Sequence, residues 1–378
     1  MSYRHLFDVP DDVAYFNCAY YSPILNESRR RLIAATAEKS HPWTRTTEHF
    51  FDDAETIRGL AANLFGGHAE GYALVPSVSY GISTAARAIE PTLQAGDRIL
   101  VMADEFPSNV LPWRRTALER GAEIVTVPTP ADGDWTRAIL AMIDARVKVV
   151  AMSACHWTNG ARIDLGPIGR AARDLGSALV VDATQSLGAM PFAMDEVRPD
   201  FLIAAAYKWL LCPYGTAIMH VAERWHHARP LEESWLARSN AHDFTALADY
   251  SDEYLPGARR FDVGEKATTQ LPGVIAALEQ IQTWGVGAIA SHLGAITARI
   301  AAHLEGLGFR LAPAAHRCPH MIGAGVPDGF ASAEHVAAAL RAQQIYISRR
   351  GQSLRFAPHM HVNEHDIERL LGAMSDVR

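Results

Sequence analysis

Two charged residues sit where an α/β protein does its chemistry. Asp182 directly follows the apolar run Ala178–Val181, and Lys208 follows the apolar run Phe201–Ala204, with 208 − 182 = 26 residues between them. Read as strands of a parallel sheet, the two runs end in one crevice, because ligands of open α/β sheets bind outside the carboxyl ends of strands. A lysine amine there can condense with an aldehyde once burial or a nearby cation has removed its proton. A carboxylate there can keep a heterocyclic nitrogen protonated, since an opposite charge favours the charged form. The same two residues would also make an ordinary structural ion pair, and the pair alone does not choose between these readings.

The surrounding elements supply the crevice. From about Tyr72, short β-branched runs (Arg98–Met102, Glu123–Val127, Val147–Met152, Ala178–Val181) alternate with helix-like stretches near 79–90, 108–120, 134–144 and 166–175. That alternation predicts a parallel sheet covered on both faces. Phe201–Ala204 and Thr216–His220 bring it to about seven strands, a common size for such a core. Upstream, Glu27–Lys39 and Asp52–Phe65 have helical spacing on either side of the turn HPWTRTT. Residues 223–262 lose the rhythm and read as a long functional loop region. A helical region over 271–306 follows. Then come an apolar run at Met321–Val326, a helix over 332–342, strands at Ile345–Ser348 and Ser353–Phe356, and a closing helix over 363–373.

Composition narrows the function. The 378 residues are 49% hydrophobic and 20% charged, with a formal net charge of −7, which fits a soluble globular protein and argues against a nucleic-acid partner. No His-Glu-x-x-His or Cys-x-x-Cys spacing occurs, so no metal site is expected. Cys18, Cys155, Cys212 and Cys318 are far apart and read as reduced thiols of a cytoplasmic protein. The N-terminus has no apolar signal core, and no stretch approaches the ~20 apolar residues that span a membrane.

The motif Asp182-Ala-Thr-Gln185 followed by Tyr207-Lys208-Trp209 resembles the class V aminotransferase superfamily of fold-type I pyridoxal-5′-phosphate (PLP) enzymes. That group holds cysteine desulfurases, selenocysteine lyases, kynureninases and isopenicillin-N-epimerase-like proteins. The resemblance runs from YFNCAYYSP to the last helix. It implies an α/β fold with a large domain on a mostly parallel seven-stranded sheet and a small C-terminal α+β domain. The expected division is an N-terminal segment 1–20 joining the small domain, a large PLP-binding domain 21–265, and a long-helix region with the small domain over 266–378. It also implies PLP as cofactor, an amino-acid substrate and a homodimer with shared active sites.

Carried over residue by residue, the resemblance makes Lys208 the Schiff-base lysine, Asp182 the partner of the pyridine nitrogen, Gln185 a contact of the ring oxygen and Tyr207 a donor to the phosphate. In PSVSYGISTAARAI, Val78 and Ser79 open a helix after Ser77. Helix N-termini favour phosphate, although a serine there is usually just a cap. Phe106 in ADEFPSNVLPW would stack on the ring, or else belong to the core. Arg355 in RRGQSLRF would grip the substrate α-carboxylate, with Arg349 and Arg350 as competitors.

Three departures bear on the reaction. In SACHWTNGARID, Trp157 fills a slot that is often Asn and would wall the substrate pocket; His156 before it reads as an acid/base or a core histidine. The stretch YISRRGQSLRF lacks the persulfide-carrying cysteine of desulfurases. Cys318 lies 348 − 318 = 30 residues earlier, and Cys155 and Cys212 flank the site in apolar surroundings that keep thiols inert. After Phe261-Asp-Val-Gly264, Glu265 stands where a hydroxyl residue usually reaches the partner's phosphate, with Thr268 or Thr269 as substitutes. The expected enzyme acts on an amino acid through a Lys208 aldimine and a quinonoid, with the freed lysine as base. It would be a side-chain lyase (C–S or Cβ–Cγ) or an epimerase. Aminotransfer or desulfurase-type sulfur transfer are alternatives, and a catalytically silent binding protein is the reading from another class.

Overall fold

In the computed structural model, which describes residues 3–377, the apolar runs become strands. A two-residue strand β1 (Ala14–Tyr15) precedes the main series: β2 (Tyr72–Val75), β3 (Arg98–Met102), β4 (Glu123–Val127), β5 (Val147–Ser153), β6 (Ala178–Asp182), β7 (Phe201–Ala205) and β8 (Ala217–Val221). Strands β2 to β8 form one seven-stranded sheet in the order β2-β8-β7-β6-β5-β3-β4. β8 is antiparallel to both its neighbours, and every other neighbouring pair is parallel. The six apolar runs match strands to within a residue at each end, and Tyr72–Val75 supplies the seventh.

The central strands are buried on both faces, and successive side chains point to opposite sides of the sheet. Met152, Val181 and Leu202 enter the core cluster on one face. Ala151, Val180 and Phe201 enter the cluster on the other. Helices Val78–Ile89, Leu111–Arg120, Trp135–Leu140 and Leu165–Asp174 connect the strands; the third is shorter than its sequence spacing suggests. Residues 223–262 contain only short 3-10 turns. The helical region over 271–306 is two helices, Leu271–Trp284 and Val286–Gly306, meeting at 76°. The bend falls at Gly285, whose φ of +77° is open to glycine. Among the described residues no single helix is long and apolar enough to cross a membrane.

The C-terminal part adds β9 (Arg310–Leu311), β10 (Ile322–Gly325), β11 (Ile345–Tyr346), β12 (Ser348–Arg350) and β13 (Ser353–Phe356). Four of these form an antiparallel sheet in the order β12-β13-β10-β9. The continuous strand expected at Ile345–Ser348 is divided. β11 pairs in parallel with β1, whereas β12 pairs with β13, so the chain changes partner at the buried Ile347. Backbone bonds from Cys18 N to Ala357 O (3.0 Å) and from Ala357 N to Phe16 O (2.8 Å) extend the seam between the N-terminal segment and the C-terminal sheet. That sheet also approaches the loop after β5. Gly323 N donates to Asn159 O at 2.8 Å, and a Cβ on Gly160 (φ +75°) would lie 2.2 Å from Met321 O.

Candidate active site

The carboxyl ends of β3, β5, β6 and β7 and the start of the helix after β2 surround one cavity of about 210 Å³. Its walls include Val78, Ser79, Phe106, Trp157, Asp182, Gln185, Tyr207 and Lys208. Parallel strands produce this convergence because their carboxyl ends all face one edge of the sheet.

Lys208 is 7% exposed, and its ammonium lies 5.6 Å from the ring centres of both Phe106 and Tyr207. Burial pulls its pKa down to about 8; Asp182 opposes that fall, while Arg355 and Arg350 add to it. Asp182, at the last position of β6, is 5% exposed. Burial raises its pKa, against bonds from Thr184 and the charge of Lys208. The Thr184 amide donates to Asp182 Oδ1 at 2.9 Å. No ion pair joins Asp182 to Lys208 among the described residues, so the two face a shared space and do not neutralise each other.

The other expected residues divide. Ser77 caps the helix Val78–Ile89, its Oγ accepting from Tyr80 N at 3.2 Å, which leaves the first-turn amides of Val78 and Ser79 without intrahelical acceptors. Ser79 Oγ pairs with Ser108 Oγ at 2.7 Å. Phe106 is 37% exposed at the mouth and meets Trp157 edge-on, with ring centres 5.5 Å apart. Tyr207 packs against Tyr214 and Tyr21, at 4.5 and 5.5 Å.

Gln185 lines the cavity, but its amide is committed: Oε1 accepts from Trp209 Nε1 at 2.8 Å and Nε2 donates to Ala19 O at 3.0 Å. His156 is a packing residue, stacked on Trp135 at 5.3 Å, with Nδ1 on Thr158 Oγ1 and Nε2 on Ala103 O. Glu265, Thr268 and Thr269 line a different cavity, which does not include Lys208.

Arg355 is fully buried just outside the cavity wall. Its Nε donates to Ser348 Oγ at 3.0 Å and its Nη1 to the Trp157 carbonyl. Nη2 is buried without a partner, and no carboxylate pairs with the guanidinium among the described residues. Burial, then the charge of Arg350, pulls its pKa down to about 9. A buried cation left this way is costly until an anion arrives. The competitors are placed differently: Arg349 reaches Glu334 at 3.5 Å on the surface, and Arg350 lies over the Trp157 ring at 5.3 Å.

Sequence reading missed Glu105, Ser153 and Thr184. Glu105 and Ser153 are buried in the cavity wall, where Glu105 Oε2 and Ser153 Oγ make no well-formed hydrogen bond. Their one signal was position: each stands at or just past a strand end, as Asp182 does.

These residues fit PLP. A buried amine of lowered pKa, a buried acid across from it, a capped helix start with free amides and an unpaired buried guanidinium are the donor set that cofactor and an amino acid require. A family model described as class-V aminotransferase matches residues 30–370. The chain belongs to the class-V aminotransferase family. It is therefore a PLP-dependent enzyme. An uncharacterized aminotransferase of Bacillus subtilis is 24% identical to this class-V chain, over 86% of the chain and 84% of its own length. The isopenicillin N epimerase of Streptomyces clavuligerus is 25% identical over 84% and 82%. A match to a probable cysteine desulfurase of Vibrio cholerae spans only 49% of that protein. The apo structure of a cysteine desulfurase from Thermococcus onnurineus superposes with a TM-score of 0.85, covering 99% of this chain and 96% of that one at 20% identity.

Proposed function

We propose that this class-V enzyme acts on the α-carbon of an amino acid, with Lys208 as cofactor anchor and base, Asp182 as the acid that holds the ring nitrogen, and Arg355 as the α-carboxylate anchor. The outcome is side-chain cleavage (C–S or Cβ–Cγ) or epimerisation. The observation that carries this reading is the buried, unpaired Arg355 beside the cavity that holds Lys208 and Asp182. When bound, PLP supplies the electron sink for a carbanion at the α-carbon.

The chain's own residues do the rest. Arg355 Nη2 has free N–H groups for the α-carboxylate, which fixes the amino acid against the Trp157 wall. The Lys208 amine, with its lowered pKa, is suited to remove and return the α-proton near neutrality. Asp182 supplies the negative charge that favours a protonated ring nitrogen. The Val78 and Ser79 amides at the cavity wall would hold the cofactor phosphate. Phe106 and Trp157 meet edge-on at the mouth and would narrow the path of water to the bound amino acid.

Sulfur transfer through a protein persulfide is disfavoured. All four cysteines are buried, and burial pushes the thiols of Cys18, Cys155 and Cys212 up, away from the reactive thiolate. A homodimer with shared sites is part of the proposal, supported by the exposed Tyr20, Tyr21 and Tyr214 near the mouth. So is a cytoplasmic location, supported by the four unpaired cysteines.

The test is the visible absorption spectrum of the purified protein and of Lys208→Ala, before and after borohydride. Wild type should be yellow and carry a reduced cofactor adduct on the peptide containing Lys208; the variant should carry none. An amino-acid panel then separates the outcomes by product: sulfide or a cleaved side chain, the opposite enantiomer, or a keto acid. A protein that stays colourless with added PLP removes the proposal.

A further inference from the structure

Two acids line the cavity, Asp182 and Glu105, and the chemistry above uses only the first. The chain takes trouble to place the second. Asp104, just before it, has φ +53°, a left-handed conformation that costs a non-glycine residue free energy and is found where surroundings enforce it. Two side chains from the loop after β5 enforce it here. His156 Nε2 bonds the Ala103 carbonyl at 3.1 Å, and Trp157 Nε1 donates to the Asp104 carbonyl at 2.7 Å. The turn leaves Glu105 8% exposed in the cavity wall and Phe106 at the mouth.

Glu105 then meets little that would hold a charge. Oε1 accepts from Phe106 N at 2.8 Å, and Oε2 is buried with no well-formed hydrogen bond. Ser153, whose Oγ is also without a well-formed bond, is the register partner of Asp182 across β5 and β6, and both face Glu105, so the two acids share one buried corner. The groups facing that corner are Asp182 from β6, Ser153 and Cys155 from β5 and the loop after it, Lys208 from beyond β7, and Asn109 from Glu105's own loop. The charge of Lys208 and the bonds of Thr184 fall to Asp182. Burial, and then Asp182, push Glu105 up to about 7, eased by Phe106 N, Ser153 and Asn109. Two like charges in one buried site do not both ionise readily.

We propose that Glu105 is a positioning residue for the cofactor: it stands beside Asp182 as a neutral acid, leaving Asp182 the single anion of the ring-nitrogen pocket and offering a protonated Oε2 into the cavity. This rests on the reading that Asp182 holds the ring nitrogen. Glu105→Gln preserves the shape and the neutral donor, whereas Glu105→Ala removes both.

The experiment compares wild type, Glu105→Gln, Glu105→Ala and Asp182→Asn as cofactor-loaded proteins, following cofactor release by absorption during dialysis and the infrared carboxyl band at pH 6. Thermal melts check folding. Wild type should show a protonated-carboxyl band that Glu105→Gln lacks. Glu105→Gln should release cofactor within about twofold of wild type, and Glu105→Ala at least about tenfold faster, the worth of one good hydrogen bond. A Glu105→Gln protein that releases cofactor as fast as Glu105→Ala, a Glu105→Ala protein that retains it like wild type, or an absent carboxyl band each overturns the proposal. If Glu105→Ala does not fold, the band and Glu105→Gln still decide. Asp182→Asn should release cofactor rapidly; if it does not, the underlying assignment of Asp182 fails whatever Glu105 does.

Discussion

Trp157 Nε1 donates to the Asp104 carbonyl at 2.7 Å, tying the loop after β5 to the turn after β3 that carries Glu105 and Phe106. The same residue's carbonyl accepts from Arg355. One tryptophan therefore links the turn that carries Glu105 and Phe106 to Arg355. Trp157→Phe keeps an aromatic wall and deletes the tie. We expect a loss of about 0.5–1 kcal/mol, at the low end for a hydrogen bond because this one is solvent-exposed. It should appear as a lower melting temperature in the cofactor-free protein. An unchanged melting temperature would mean that the turn is held without the indole.

Lys208 makes stability depend on pH when no cofactor is bound. Its folded pKa, about 8, lies below the ordinary 10.5. Between those values the unfolded chain carries a proton that the folded chain has released, so stability rises with pH through that window. Below pH 8 both states carry it, and burying the ammonium is a constant cost. The full effect is about 3 kcal/mol, from 1.36 kcal/mol per pH unit. Lys208→Met should therefore be the more stable cofactor-free protein at pH 7 and should lose the rise above pH 8. Denaturant titrations at pH 7 and pH 10 check this, and equal differences in the two proteins would clear Lys208 of the effect.

Arg355→Gln separates substrate binding from cofactor binding. Removing one partner of a buried charge pair costs about 2–5 kcal/mol, so amino-acid affinity should fall at least about 30-fold. Cofactor content should hardly change. Because Arg355 also depresses Lys208, the apparent pKa of the amine should move up in the variant. Titrating amino acids into the loaded enzyme gives the first readout, and the pH dependence of cofactor capture gives the second. A merely structural Arg355 would lower stability without separating these readouts.

The four cysteines provide a negative control with a definite outcome. Cys18→Ala, Cys155→Ala, Cys212→Ala and Cys318→Ala should each keep turnover on the preferred amino acid within about twofold, since buried thiols in apolar surroundings make poor nucleophiles. A variant that folds, binds cofactor and loses turnover by orders of magnitude would restore the sulfur-transfer reading. Cys155 is the sharpest case because it lines the cavity.

Local pattern settled much of this protein. Short continuous apolar runs spaced by helix-like stretches have few ways to be buried, so β3 to β8 were legible from residue types alone, and Asp182 and Lys208 were legible because each follows such a run. What lay beyond reach depended on partners far along the chain. Gln185 looks free in sequence, yet its amide is taken by Trp209 and by Ala19, 166 residues away. The run Ile345–Ser348 looks like one strand, yet half of it pairs with Ala14–Tyr15 because the N-terminal segment packs there. Glu105 lines the cavity on a turn whose Ala103 and Asp104 carbonyls are tied by His156 and Trp157, each 53 positions further along the chain. Propensity and periodicity act over a few residues. The direction of a single side chain beyond a strand end is decided by tertiary hydrogen bonds and packing, and only the folded chain contains those.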